Sequence, residues 1–260
     1  MSSTPTATTD PPVADGSDGD NDDGSSVAGR IVALLVAVSL LVTSFVVGTV
    51  ASLAVIVPLL FLGFGVTSTA VLVLGSIPQQ LTFAGIGALY AHLRLDSLPI
   101  RKPNRRELRF VVGTTVVAVV LASALSYALT LIGIEPVESV IGEVAQADPS
   151  VLLVLAVLSI FLVAPAEELL FRGAIQGRLR TAYGPVAGIA LASAIFASIH
   201  VFNFVGNSLA VVAATGVIFV TGSILGIAYE RTGNLAVPIL IHAAYNTTLF
   251  TISYVQLVGL

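Results

Sequence analysis

Residues 151–177 read VLLVLAVLSIFLVAPAEELLFRGAIQG. A predominantly apolar run of about 18 residues or more is long enough to cross the hydrocarbon core of a bilayer as a helix. This run qualifies, yet it holds Glu167, Glu168 and Arg172 well inside its apolar frame. An ionisable group within a span is costly unless it is paired or faces a cavity, which makes each of the three a functional candidate by default. The stretch therefore predicts a transmembrane helix with a polar site in it.

The rest of the chain repeats the apolar pattern. Of 260 residues, 56% are hydrophobic and only 10% charged, against about 25% charged in a soluble globular domain. Runs at 31–64, 69–92, 110–134, 151–177, 186–202, 209–229 and 235–258 predict an all-α, polytopic transmembrane helical bundle of about seven spans, six to eight. The first run is ambiguous. As one helix it would be ~51 Å long in a core ~30 Å thick, and Gly48, Pro58 and Gly63 could divide it. The transmembrane domain is read as residues 29–260. Residues 1–28 differ in composition: Ser, Thr, Gly and Pro with Asp10, Asp15, Asp18, Asp20, Asp22 and Asp23. They predict a disordered acidic tail, without the positive opening and cleavage site of a secretory signal.

Cations near span ends mark the cytoplasmic side. Arg94, Arg101, Lys102, Arg105, Arg106 and Arg109 surround the break after the second span, Arg178 and Arg180 follow the fourth, and Arg231 follows the sixth. These breaks share one side if spans alternate. The break at 135–149 has Glu135, Glu138, Glu143 and Asp148 and no cation, as an outer loop should. The expectation is a multi-pass protein of the cell membrane with its N-terminus in the cytoplasm. The Arg101 to Arg109 cluster reads as a topology determinant in preference to an anionic-lipid site. No Gly-rich phosphate loop and no basic segment with interleaved aromatics occurs, so neither nucleotide nor nucleic acid is an expected partner. The expected partners are the lipid bilayer and a hydrophobic or membrane-anchored peptide or protein. With no cysteine, any chemistry rests on oxygen and nitrogen groups.

Glu168 and Arg172 stand at i and i+4 with the acid N-terminal, which puts them on one helix face as an ion pair. Glu167 points ~100° away and has no obvious local partner. His200 follows Phe196 by four residues, and His242 precedes Asn246 by four, so each pair shares a face. His92 lies at a span end and reads as interfacial. Counted from the inner end of each span at 1.5 Å per residue, Glu167 lies at ~15 Å, His242 at ~11 Å, Asn246 at ~17 Å and His200 at ~21 Å. The depths permit a single mid-membrane site. A carboxylate beside an imidazole can hold and deprotonate a water, and an imidazole or amide can donate to an oxyanion. Alternatively Glu167, His200 and His242 supply the three ligands that catalytic zinc commonly uses, and a Zn2+ cofactor stays open on these residues.

The motifs carry a resemblance. Glu167-Glu168-Leu-Leu-Phe-Arg172, Phe196-Ala-Ser-Ile-His200 and His242-Ala-Ala-Tyr-Asn246 match, in order and on separate spans, the E-E-x-x-x-R, F-x-x-x-H and H-x-x-x-N motifs of the CPBP family of intramembrane proteases, which includes the type II CAAX prenyl proteases. The resemblance covers 151–258. It implies that Glu167 activates water together with His200, that Glu168 and Arg172 pair to shape the site with Phe196, and that His242 with Asn246 polarises the scissile carbonyl. It implies an endopeptidase acting on a hydrophobic substrate, prenylated or membrane-anchored, by glutamate-activated water or a metal. Two other classes compete: a non-catalytic membrane scaffold keeping the same polar core, and a proton-coupled transporter, since buried Glu and His also mark proton relays.

Overall fold

A computed structural model of the protein describes residues 26–94, 98–206 and 208–259. The acidic tail expected at the N-terminus lies outside them up to residue 25; Ser26 already caps the first helix. The helices are α1 (Val27–Phe61), α2 (Thr69–Arg94), α3 (Arg105–Leu131), a short α4 (Val140–Ala147), α5 (Ser150–Leu158), α6 (Ala164–Glu168), α7 (Gly177–Ile199), α8 (Ser208–Thr232) and α9 (Ala236–Val258). Two π-wound segments, π1 (Ser159–Val163) and π2 (Leu169–Gln176), join α5, α6 and α7. The ambiguous first run is one helix of 35 residues, ~52 Å long, with Pro58 near its end. Its buried positions are Ala33, Ala37, Ser44, Gly48 and Ser52, small residues that let a neighbouring helix approach closely. Gln79 of α2 uses that space: it donates to the Ser44 carbonyl at 3.2 Å, and a Cβ on Gly48 would stand 2.3 Å from its Nε2.

The stretch from Ser150 to Asn203 is apolar and helical over 54 residues but makes two passages. Gly184 adopts φ 79°, ψ 172°, Pro185 follows, and the second arm folds back so tightly that a Cβ on Gly188 would lie 2.8 Å from the Arg180 Cα. The returning α-helical arm rises ~22 Å. The 3₁₀ turn His200–Asn203 adds ~8 Å, which completes one membrane thickness. Seven long passages result among the described residues. In this stretch 44% of the apolar window is buried, against 22% in the other apolar helices, so this is the centre of the bundle. Its core comprises Phe83, Leu170, Phe171, Ile175, Leu179 and Phe196 with small residues between them. α9 is long enough to span but less apolar, being diluted by His242, Asn246, Thr247, Thr248 and Thr251.

The acid-bearing end holds more structure than the bare loop expected at 135–149. A two-residue strand, Glu138–Ser139, pairs antiparallel with Phe204–Val205, and Ser139 caps α4 by accepting from the Gly142 N–H at 2.9 Å. Val144 and Ala145 of α4 pack on Val151, Leu152 and Leu155, so the segment folds because it has apolar surface to bury. Asp148 accepts from the Ser150 hydroxyl at 2.6 Å and from the Thr69 hydroxyl at 2.7 Å. These hydrogen bonds hold its carboxyl below the ordinary range because they favour the charged form. At the cation-rich end Asn104 and Glu107 form a capping box at the start of α3. Arg101 pairs with Glu107 at 2.8 Å, and its backbone N–H donates at 3.1 Å to the buried Asn234. One member of the arginine cluster thus braces the loop.

Candidate active site

Polar residues of α2, α6, π2 and α9 meet where the central helix is π-wound on both sides of Glu167 and Glu168. Glu168 and Arg172 are fully buried, with the guanidinium Nε 3.2 Å from Glu168 Oε2. The two are close enough to be an ion pair but not aligned as a hydrogen bond. Arg172 is held from two other directions. Its Nη2 donates to the Gly222 carbonyl of α8 at 3.0 Å, and its guanidinium lies 4.9 Å from the centroid of the Phe196 ring. One turn on, Gln176 donates to the Gly226 carbonyl at 3.1 Å. Gly222 permits this approach, since a Cβ there would stand 3.1 Å from Phe196.

Glu167 is not without a partner. Gln80 of α2 donates to its Oε1 at 3.1 Å, and His242 Nε2 stands 3.9 Å from its Oε2. His242 also touches Glu168, whose Oε1 lies 2.9 Å from Nδ1. A carboxylate ion-paired to arginine can only accept, so Nδ1 carries the proton and donates. In the neutral ring, Nε2 then presents a lone pair towards Glu167. Both groups are almost closed off, 6% and 5% exposed, so charge developing between them would be poorly screened.

His200 stands differently from the expectation that it flanks Glu167. Its Nδ1 donates to the Phe196 carbonyl at 2.8 Å, and its ring lies against the Phe196 ring, with centroids 4.7 Å apart. The same phenyl ring meets His242 edge-on at 6.0 Å. Phe196 therefore lies against both imidazoles, and the one beside Glu167 is His242. The cause is local: α7 ends at Ile199 and the chain tightens into a 3₁₀ turn. Asn246, one turn beyond His242, donates to the buried Ser159 hydroxyl of π1 at 2.9 Å. Thr247 donates to the Ala156 carbonyl at 3.3 Å. A ladder of edge-to-face rings, Phe83 to Phe171 at 6.0 Å and Phe171 to Phe196 at 5.0 Å, backs the cluster.

Glu167, His200 and His242 do not converge as a metal-ligand set. Among the described residues no three His, Asp or Glu side chains are placed to hold one ion. No step below is routed through a metal. Gln80, Ser159 and Gln176 belong to the site or its support and were missed by sequence reasoning. The signal for Gln80 was present in Pro78-Gln79-Gln80, adjacent amides inside an apolar span.

Residues 149–248 match the family described as type II CAAX prenyl endopeptidase Rce1-like. The chain is also similar to a protein of Bacillus subtilis (strain 168) called uncharacterized protein YpbD, at 40% identity over 81 residues. That alignment covers 31% of this chain and 36% of the relative, so the chain spans little more than a third of the relative's length. No solved structure matches the chain.

Proposed function

From a multi-pass membrane chain whose residues 149–248 match the Rce1-like family, we infer an intramembrane endopeptidase that hydrolyses a hydrophobic or membrane-anchored peptide by carboxylate-activated water. The observation that carries this reading is the 3.9 Å separation of Glu167 Oε2 and His242 Nε2. Each is held by a partner on its far side, and a single water can bridge a gap of that size. Such a water donates one O–H to Glu167 and the other to His242. As its oxygen bonds to the scissile carbonyl carbon, Glu167 takes the proton, acting as general base. The carbonyl oxygen becomes an oxyanion, for which the Asn246 amide, held by Ser159, offers a preorganised donor. When the C–N bond breaks, Glu167 returns the proton to the leaving amine, and carboxylic acid and amine are the products. Glu168 acts through His242 by fixing its tautomer, as the carboxylate does in a serine-protease triad. His200, with Nδ1 committed to the Phe196 carbonyl and its ring against the Phe196 ring, would align a substrate backbone.

The test is cleavage of quenched hydrophobic peptides, prenylated and unprenylated, by the purified protein and by Glu167→Gln at matched folded yield. The expected loss is about 10²- to 10⁴-fold, the contribution of a positioned base, and a chelator should leave the wild-type rate unchanged. Equal cleavage by both proteins would remove Glu167 from the chemistry. Capture of one native partner by both, with no cleavage by either, would make the chain a scaffold.

A further inference from the structure

Away from the site, α3 and α8 pack side by side, with Val111 in one cluster with Leu225 and Ala228, and leave a cleft open on their outer face. Between them runs a cleft of about 510 Å³ whose walls include Gly113, Val117, Ile224 and Ile227, with Arg109 and Arg231 lining it at one end. A second, apolar cleft of about 330 Å³ continues between residues 125–132 and 213–220. The first opens outward, since Val117 is 57% and Ile227 39% exposed, and in a spanning helix pair that direction is hydrocarbon. Its depth is made by a missing side chain: a Cβ on Gly113 would meet nothing within 4 Å. Neither Arg109 nor Arg231 pairs with a carboxylate among the described residues; Arg109 makes only a long bond, 3.4 Å, to the Arg105 carbonyl of its own helix.

The geometry points to a binding site for one anionic phospholipid in the leaflet at the cation-rich end. The headgroup phosphate lies between Arg109 and Arg231 and an acyl chain lies along the Gly113 groove. From Arg109 to Val117 the helix rises ~12 Å, close to half of a ~30 Å hydrocarbon core, which is the reach of one leaflet. A uniform apolar groove would accept any lipid tail. The two cations at one end select the charge, and their separation from the site on the far side of α8 makes this ligand distinct from the substrate. The cleft also adjoins the site's support. Ala228 lines it and packs in one cluster with Leu225 and with Ile241, the residue before His242. Gly222 and Gly226 on the same helix receive Arg172 and Gln176. A lipid in the cleft would therefore brace α8 in the position the site requires.

The inference rests on binding and can be tested without turnover. The full chain, purified in neutral detergent, is titrated with phosphatidylglycerol and with phosphatidylcholine of the same acyl chains, and bound lipid is counted by native mass spectrometry. Wild type is expected to prefer phosphatidylglycerol. R109Q/R231Q should bind it about thirtyfold more weakly, two contacts of about 1 kcal/mol each, while R109K/R231K should retain most of the affinity. Gly113→Leu, which fills the groove and leaves both arginines, should also lose it. Equal binding of the two lipids by wild type would overturn the proposal. So would unchanged phosphatidylglycerol binding by Gly113→Leu, which would mark a charged surface without a groove, and so would one-for-one displacement by a prenylated peptide, which would make the cleft part of the substrate path.

Discussion

Replacing Arg172 by Met removes the positive member of a fully buried ion pair and leaves Glu168 facing an apolar interior. Breaking a buried pair from one side costs about 3 to 5 kcal/mol, chiefly because the remaining charge is uncompensated. The contact between the guanidinium and the Phe196 ring at 4.9 Å adds about 1 to 2 kcal/mol where water is excluded. A loss of about 4 to 7 kcal/mol is a large part of the roughly 5 to 15 kcal/mol that holds a folded domain together. The second substitution is the informative one. Glu168→Gln in the Arg172→Met background removes the orphaned charge and keeps an oxygen for His242 Nδ1, so the double variant should be more stable than Arg172→Met by at least about 2 kcal/mol. Unfolding followed in detergent by size-exclusion fluorescence, with a denaturant titration for the free energies, reads both. If the two single losses simply add in the double variant, the pair is not coupled and the reasoning about Arg172 fails.

Three further outcomes follow from other contacts. Gln80→Leu takes away the 3.1 Å donor to Glu167; losing a hydrogen bond to a charged group, worth about 1.5 to 3 kcal/mol, should lower kcat about tenfold to a hundredfold with KM nearly unchanged, and a change confined to KM would refute a positioning role. Gly188→Ala forces a Cβ to 2.8 Å from the Arg180 Cα, a backbone atom that cannot turn aside, and should destabilise by about 1 to 3 kcal/mol, whereas Gly85→Ala, with nothing within 4 Å, should stabilise by roughly 0.5 to 1 kcal/mol; melting curves compare them. Because the folded state lowers the Asp148 pKa, its contribution is present above the unfolded value, about 3.9, and disappears as pH falls through the lower folded value. Asp148→Asn should therefore be less stable than wild type at neutral pH and approach it in acid, and a gap that persists to the lowest pH would show that charge is not involved.

The apolar runs made the passages legible, because hydrocarbon thickness sets a minimum length that few other structures meet. Glu168 and Arg172 could be paired on paper since their contact lies within one helix, and 3.2 Å separates them in the fold. Glu167 could not be partnered in the same way. Its neighbours Gln80 and His242 come from α2 and α9, and no local spacing encodes a meeting of three helices. His200 and His242 lay at similar depths in the arithmetic, but depth has no azimuth, and azimuth decided which imidazole faces Glu167. The α4 segment was read as loop since eight residues between spans are too few to register as a helix by period. The broad first run resolved as one helix because Gly48 and Pro58 serve packing and termination, uses that composition alone does not separate from a break.

The winding on either side of Glu167 and Glu168 changes what the motif's spacing means. In an ordinary α-helix, a residue four places on has gone ~40° past a full turn. In π2, where hydrogen bonds run from i to i+5 and each turn holds more than four residues, the same residue stops short of a full turn. Arg172 thus approaches Glu168 from the other flank of one shared helix face, and its guanidinium reaches the Gly222 carbonyl and the Phe196 ring. The six letters from Glu167 to Arg172 are consequently not transferable by themselves. Written into an α-wound span, they would offer the same charges to a different neighbour, so the chemistry of this helix depends on its pitch as well as on its side chains.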